Sequence, residues 1–313
     1  MSALPHPMFM ASAAAIGGTV YVGGGYSGAK KPQTDLYKFN LEEKQWVILP
    51  PPPHPVSGFV LVAQGDKLHL IGGEYARARS LTVSDKVQSL DVSSGITEWS
   101  TTLPPLKSPR YSAAAISHDS YIIVAGGIGL EGEPVHTLEI IHLTGGRRRP
   151  EWFSINKMPL RCYVRPQLVV CNKVLYLAGR QEDSNESTHV FSLQFRDLLD
   201  ASRPRGRIRF SSKQEQENAT WSQESSVVAG AALFVLGGYM MAVGGAGENG
   251  GYCWSYNTEH KAWLKNCAIP QTRKDTAVTI ANDTNVILLG GSTQTPAGER
   301  KAVSYVNIGM PQQ

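Results

Sequence analysis

Seven residues of this chain combine directional hydrogen bonding with contact area: Arg110, Arg165, Arg180 and Arg273, with Tyr26, Tyr75 and Tyr239. Arginine offers a planar, permanently charged fork that fits carboxylates, and tyrosine adds a rigid amphipathic ring. Both types dominate binding energy at interfaces, so the chemistry they could do is contact with a peptide or protein surface. Arg110 and Arg273 lead the set, and Tyr75 and Tyr239 follow. Each of the seven stands shortly after a small-residue pair ending an apolar run, or shortly before another apolar run.

Other residues that could do chemistry lack the context it needs. Gly245-Ala246-Gly247-Glu248-Asn249-Gly250 matches G-x-G-x-x-G, but Tyr252-Cys253-Trp254 follows where a helix would have to start. Dinucleotide binding requires that helix, so the segment reads as a loop. There is no G-x-S-x-G and no H-E-x-x-H. The eight histidines are scattered, and Cys162, Cys171, Cys253 and Cys267 fit no zinc spacing. The cysteines read as small buried apolar residues. Cys253–Cys267 or Cys162–Cys171 pairing is the alternative. No metal, no cofactor and no catalytic set is expected.

Composition limits the partners further. Net charge is +4 over 313 residues, short of the concentrated basic face of a nucleic-acid binder. Two basic clusters stand out, Arg147-Arg148-Arg149 and the Arg203, Arg205, Arg207, Arg209 series. Both read as solvated loop charge, with docking of an acidic partner as the sharper alternative. No run of 18 apolar residues spans a membrane, and no charged leader precedes Met8–Ile16. Three N-x-S/T tripeptides, at Asn185, Asn218 and Asn282, carry little weight without a secretory signal. The expectation is a cytoplasmic, monomeric protein that touches neither nucleic acid nor membrane.

What must position the arginines and tyrosines is a repeat. Apolar runs ending in a small-residue pair recur as Val20–Gly25, Leu68–Gly73, Ile122–Gly127, Val174–Gly179, Leu233–Gly238 and Val286–Gly291. The pairs begin at 24, 72, 126, 178, 237 and 290, at intervals of 48, 54, 52, 59 and 53 residues. Trp46, Trp99, Trp152 and Trp263 follow 22 to 27 residues later, each before a Leu/Ile/Met-Pro. Trp221 follows its pair by 43, so the fourth repeat carries an insertion.

Each repeat then reads as four strands. Strand a is small and apolar (Ala13–Ile16, Ala113–Ile116, Ala277–Ile280), and strand b is the run before Gly-Gly. Strand c alternates, as in Leu36–Phe39, and strand d holds the tryptophan. A strand apolar on both faces belongs between neighbouring sheets. Glycines allow positive φ and close backbone approach where the chain leaves the crowded inner strands. The tryptophan supplies a flat area for packing between sheets.

Gly-Gly after an apolar strand, the aromatic on strand c and the later Trp resemble kelch repeats over roughly residues 1–310. The resemblance implies an all-β fold, a six-bladed β-propeller with four antiparallel strands per blade. The blades fall near 8–50, 57–104, 111–159, 166–224, 225–270 and 275–307. Residues 196–219 form a polar insertion expected to be flexible. The last repeat lacks a downstream Trp, and Met1–Pro5 aligns with Trp46–Pro50. Residues 1–5 are therefore expected to pair with the last blade and close the ring, as kelch propellers do. A start inside a strand suggests a domain of a longer polypeptide.

In such a ring the loops joining strands b and c, and the crossings from d to the next a, meet at one rim around the central channel. Tyr26, Tyr75, Arg180 and Tyr239 fall on the first set, and Arg110, Arg165 and Arg273 on the second. Kelch domains that capture acidic peptides use arginines from such positions. Some kelch relatives are copper oxidases or bind iron, and neither ligand set is recognisable here. The resemblance thus implies a protein-interaction module without enzymatic activity, an adaptor domain binding an acidic peptide or protein. The alternatives are a propeller enzyme acting on sugars or sugar acids, with an acid such as Glu74, and an actin-binding structural domain.

Overall fold

The computed structural model describes residues 3–27, 31–77, 80–93, 98–143, 149–155, 158, 166–179, 187–195, 199–200, 209–210, 221–269, 271–294, 300–302 and 306–309. The fold is an all-β propeller. Five antiparallel sheets each carry strands a to d. The first runs Ser12–Ile16, Thr19–Gly23, Leu36–Asn40, Gln45–Ile48, in that spatial order. The next four begin at Val60, Ala114, Gln167 and Ala232. A further sheet has three strands among the described residues: Ala277–Ala281, Asn285–Leu289 and Val306–Gly309. Strand a of each sheet touches strand a of the next, and Ser12–Ile16 touches Ala277–Ala281, which brings the chain round on itself. No helix among the described residues is long and apolar enough to cross a membrane.

The core lies between sheets. Strand b of the third sheet, Tyr121–Ala125, is buried along its whole length, as a strand sandwiched on both faces must be. Each tryptophan of strand d reaches back to the preceding sheet. Trp152 packs with Val60, Val62 and Ile71 of the second sheet. Its indole N–H donates to the Pro104 carbonyl at 2.9 Å, and that of Trp99 donates to Pro50 at 2.9 Å. Trp263 donates likewise to Ser225 at 3.2 Å. Trp46 of the first sheet packs with Ala277 and Leu289 of the last.

The structure corrects the sequence reading at three places. Gly237-Gly238 is not the pair that ends strand b of the fifth sheet. It is the tight turn between strands a (Ala232–Leu236) and b (Tyr239–Val243), and the equivalent pair is Gly244-Gly245. The other a–b turns also hold a left-handed residue, among them Gly17, Gly65, Asp119, Asn172 and Asn282. In the last sheet strand c is Val306–Gly309 and runs past the expected blade end at 307, because Arg300–Ala302 pairs with Ser292–Gln294 in a separate hairpin.

Of the expected closing strand 1–5, residues 1 and 2 lie outside the described residues, and Ala3, Leu4 and Pro5 are in no strand. Leu4 is nevertheless buried with Met8, Val22 and Leu289, as its counterpart Leu49 is buried one sheet on. Cys267, expected to be buried, is exposed while Cys171 and Cys253 are buried, because strand d is the outer edge of its sheet. The 196–219 insertion lies largely outside the described residues, and Leu199–Asp200 and Arg209–Phe210 within it pair antiparallel.

Candidate functional site: the rim of the central channel

Antiparallel order places every b–c connection and every d–a crossing on one face. Backbone bridges fasten the two sets together in sheet after sheet. Phe9 pairs with Tyr26, Ser57 with Glu74, Tyr111 with Ile128 and Lys274 with Ser292. At the head of five of the strands a sits a left-handed residue: Met10, Gly58, Ser112, Gly230 and Asp275 have φ from 50° to 75°. The Ser112 N–H donates to Gly58 O at 2.7 Å and the Asp275 N–H to Gly230 O at 3.2 Å. These contacts tie neighbouring sheets around a central cavity of about 190 Å³.

The cavity is narrow in chemistry. Its described lining is mostly Gly, Ala, Ser and Thr, with larger residues such as Phe59, Gln167 and Leu168, and Asp275 is the one titratable side chain among them. A general acid–base pair facing a substrate is therefore not assembled there by the described residues. Nor do His, Cys, Asp and Glu gather into a metal-holding group among the described residues.

Beside the mouth, the first three sheets build a polar cluster. The Tyr26 hydroxyl donates to Glu74 Oε1 at 2.5 Å, and Ser57 Oγ lies 3.5 Å from the same oxygen. Glu74 is buried. Burial, then the bond to Glu74, pushes the Tyr26 phenol far above its ordinary value. Burial first, then the Glu74 and Glu133 charges, raises Tyr111. Both phenols thus stay protonated at any physiological pH, and Tyr26 donates to the Glu74 carboxylate.

Two of the four arginines expected at this rim are not exposed on it. Arg110 and Arg273 are each only 1% exposed. Arg110 Nη1 donates to Gly126 O and to Thr137 O, both at 3.0 Å, and Nη2 donates to Glu139. Its own carbonyl accepts the Gly73 N–H at 2.9 Å. Arg273 repeats the motif three sheets on: its carbonyl accepts Gly245 N–H at 2.8 Å and its Nη1 donates to Gly290 O at 3.4 Å. Each arginine, through its carbonyl and its guanidinium together, therefore ties one Gly-Gly corner to the next from inside. Burial lowers the pKa of both guanidinium groups, opposed at Arg110 by Glu139. As placed, neither side chain is exposed to a partner, because carbonyls at the glycine corners accept from their guanidinium groups.

Tyr239 is corrected too. It opens strand b directly after the a–b turn, so it stands on the opposite face, 66% exposed. Tyr26 and Tyr75 are on the expected face, Tyr26 part-buried in the cluster and Tyr75 exposed on a hairpin formed by Glu74–Arg77 and Ser80–Val83. Arg165 and Arg180 lie outside the described residues. Gly245–Gly250 is the b–c loop of the fifth sheet, with a single 3-10 turn at Glu248–Gly251 and then strand Tyr252–Asn257.

Three contributors escape the sequence reading. Leu81 (49% exposed) lies on the second-sheet hairpin, and Leu130 (58%) at the tip of the third-sheet b–c loop. The signal for Leu130 is an isolated leucine in the Gly-rich run Gly127-Ile128-Gly129-Leu130-Glu131-Gly132. Ser57, three residues ahead of strand a, carries no signal of its own.

A family model described as Kelch motif matches residues 7–53, the first sheet of the ring. Among solved structures, that of YjhT superposes with a TM-score of 0.71 at 15% identity, over 98% of this chain and 96% of that one. At that identity the likeness concerns the fold alone. No curated protein sequence matches the chain significantly.

Proposed function

We propose that the chain, a β-propeller whose residues 7–53 match a kelch motif, is a protein-interaction module that captures a peptide or protein segment on its b–c face. In this reading the three-stranded sheet is the sixth blade of the ring. The observation that carries the reading is the exposure of Tyr75, Leu81 and Leu130 on the b–c connections of adjacent blades. Large apolar side chains held out from tied-down loops are what an interface core requires. Tyr26, Tyr111 and Glu74 supply directional hydrogen bonding beside them. The acidic preference of the partner loses its two leading arginines, and apolar contact takes their place.

The test is affinity capture with the wild-type domain, a Tyr75→Ala/Leu81→Ser/Leu130→Ser variant and a Tyr239→Ala control on the far face. A partner retained by the control and lost by the triple variant supports the reading. A partner bound equally by all three sinks it.

A second reading rests on the Tyr26–Glu74 pair, a carboxylate and phenol 2.5 Å apart beside the channel mouth. That pair suits a small hydroxyl-bearing ligand, such as a sugar or sugar acid. A thermal-shift screen with neutral and acidic sugars distinguishes it: stabilisation lost in Glu74→Gln would favour this reading.

A further inference from the structure

The fifth blade holds two thiols with no role in the rim. Strand c (Tyr252–Asn257) pairs with strand d (Ala262–Ala268), with Tyr252 opposite Ala268 and Trp254 opposite Lys265. One residue, Cys253, therefore faces two, Asn266 and Cys267, in a β-bulge. The Cys253 thiol is hydrogen-bonded to that of Cys267, and both are unbridged. Residues opposed across an antiparallel ladder stand about 4.5–5.5 Å apart at Cα. A disulfide spans about 4.4–6.8 Å. The bulge gives the strand slack to reach a good torsion.

The two sulfurs differ in access. Cys267 is exposed on the outer edge and Cys253 is buried beneath it. Burial first, and then the neighbouring sulfur, pushes the Cys253 thiol up to about 12. Cys267 is thus the sulfur an oxidant meets, and Cys253 is the one placed to resolve it.

We propose that Cys253 and Cys267 form a redox-active dithiol that closes to a disulfide across strands c and d when the protein meets a peroxide. In the first step the Cys267 sulfur attacks one peroxide oxygen, the O–O bond breaks, and a sulfenic acid and water form. In the second, the Cys253 sulfur attacks the Cys267 sulfur, the S–O bond breaks, and a second water leaves with the Cys253 proton. Two thiols and one hydrogen peroxide yield one disulfide and two waters. A thiol reductant reverses the bond by exchange. The cross-link sits at the end of strand d, where the Ile269 N–H donates to Gly251 O at 2.8 Å and the chain turns into the crossing that carries Arg273 and Asp275.

The experiment is titration of the folded protein with hydrogen peroxide, followed by denaturation, alkylation with N-ethylmaleimide and peptide mass mapping. The expected result is loss of two alkylatable thiols, a linked peptide pair containing Cys253 and Cys267, and full recovery with dithiothreitol. In Cys267→Ser the loss disappears. In Cys253→Ser, Cys267 stops at a sulfenic acid that dimedone traps, and this exposed-site readout does not require the buried cysteine to be intact. Peroxide that leaves every thiol alkylatable, that links Cys171 or Cys162 instead, or that drives wild-type Cys267 to a sulfinic acid overturns the proposal.

Discussion

Arg110 and Glu139 form an ion pair with no exposed side-chain surface on either partner. Glu139 also accepts the backbone N–H groups of Lys107 at 2.8 Å and Ser108 at 3.1 Å, so the carboxylate anchors the crossing between the second and third blades. Removing one member of such a pair strands the other charge in the interior. Arg110→Ala or Glu139→Ala is expected to cost about 3–5 kcal/mol, read from urea unfolding. The double variant Arg110→Met/Glu139→Leu recovers much of that loss, because no buried charge remains.

His69 sets a pH dependence. It lies in strand b of the second blade, 3% exposed, with Nδ1 2.8 Å from Ser89 Oγ and Nε2 without a partner. Burial first, and the Lys67 charge second, lower its pKa to about 4 from 6.5. The unfolded chain thus binds a proton that the folded chain refuses between those values. The stability this contributes is present above pH 6.5 and lost as pH falls towards 4. The loss amounts to at most about 3 kcal/mol. Urea midpoints at pH 7.5 and 4.5 should converge in His69→Leu relative to wild type.

Two glycines with similar backbones separate strain from collision. Gly65 (φ 56°) faces open space, whereas a Cβ on Gly244 (φ 75°) would meet the Arg273 carbonyl oxygen at 2.5 Å. Gly65→Ala is expected to cost only the left-handed penalty of about 1–2 kcal/mol. Gly244→Ala adds displacement of the crossing and should cost clearly more, measured by the same unfolding curves.

Tyr26→Phe removes a donor from a buried carboxylate. A hydrogen bond to a charged group contributes about 1.5–3 kcal/mol, so the variant should unfold at lower urea. If the rim is the binding face, the partner affinity of this variant should also fall several-fold, by titration calorimetry.

The repeat, the strands and the inter-blade tryptophans were legible because each follows from a period and a residue type. The fifth Gly-Gly was misread because an a–b turn also selects left-handed residues, and there it happens to use Gly237-Gly238, seven residues ahead of the real corner. Burial of Arg110 was hidden because its partner lies on another blade. The clue was Glu139 itself, a carboxylate inside the apolar run Leu138–Ile141. Such a residue needs a cation, and none stands nearby in sequence. Nothing comparable marks Arg273, whose acceptor is a backbone carbonyl.

The backward reach of each tryptophan gives the ring a direction of assembly. Trp99, Trp152 and Trp263 dock on a blade already synthesised, so each new blade can be secured as soon as it leaves the ribosome. Trp46 is the exception. Its partners Ala277 and Leu289 belong to the last blade made, so the first blade to emerge is the last to gain its neighbour. Until then it exposes an apolar flank, and the interval of translation between them is the window in which a nascent chain of this protein is most open to chaperones and to misassociation.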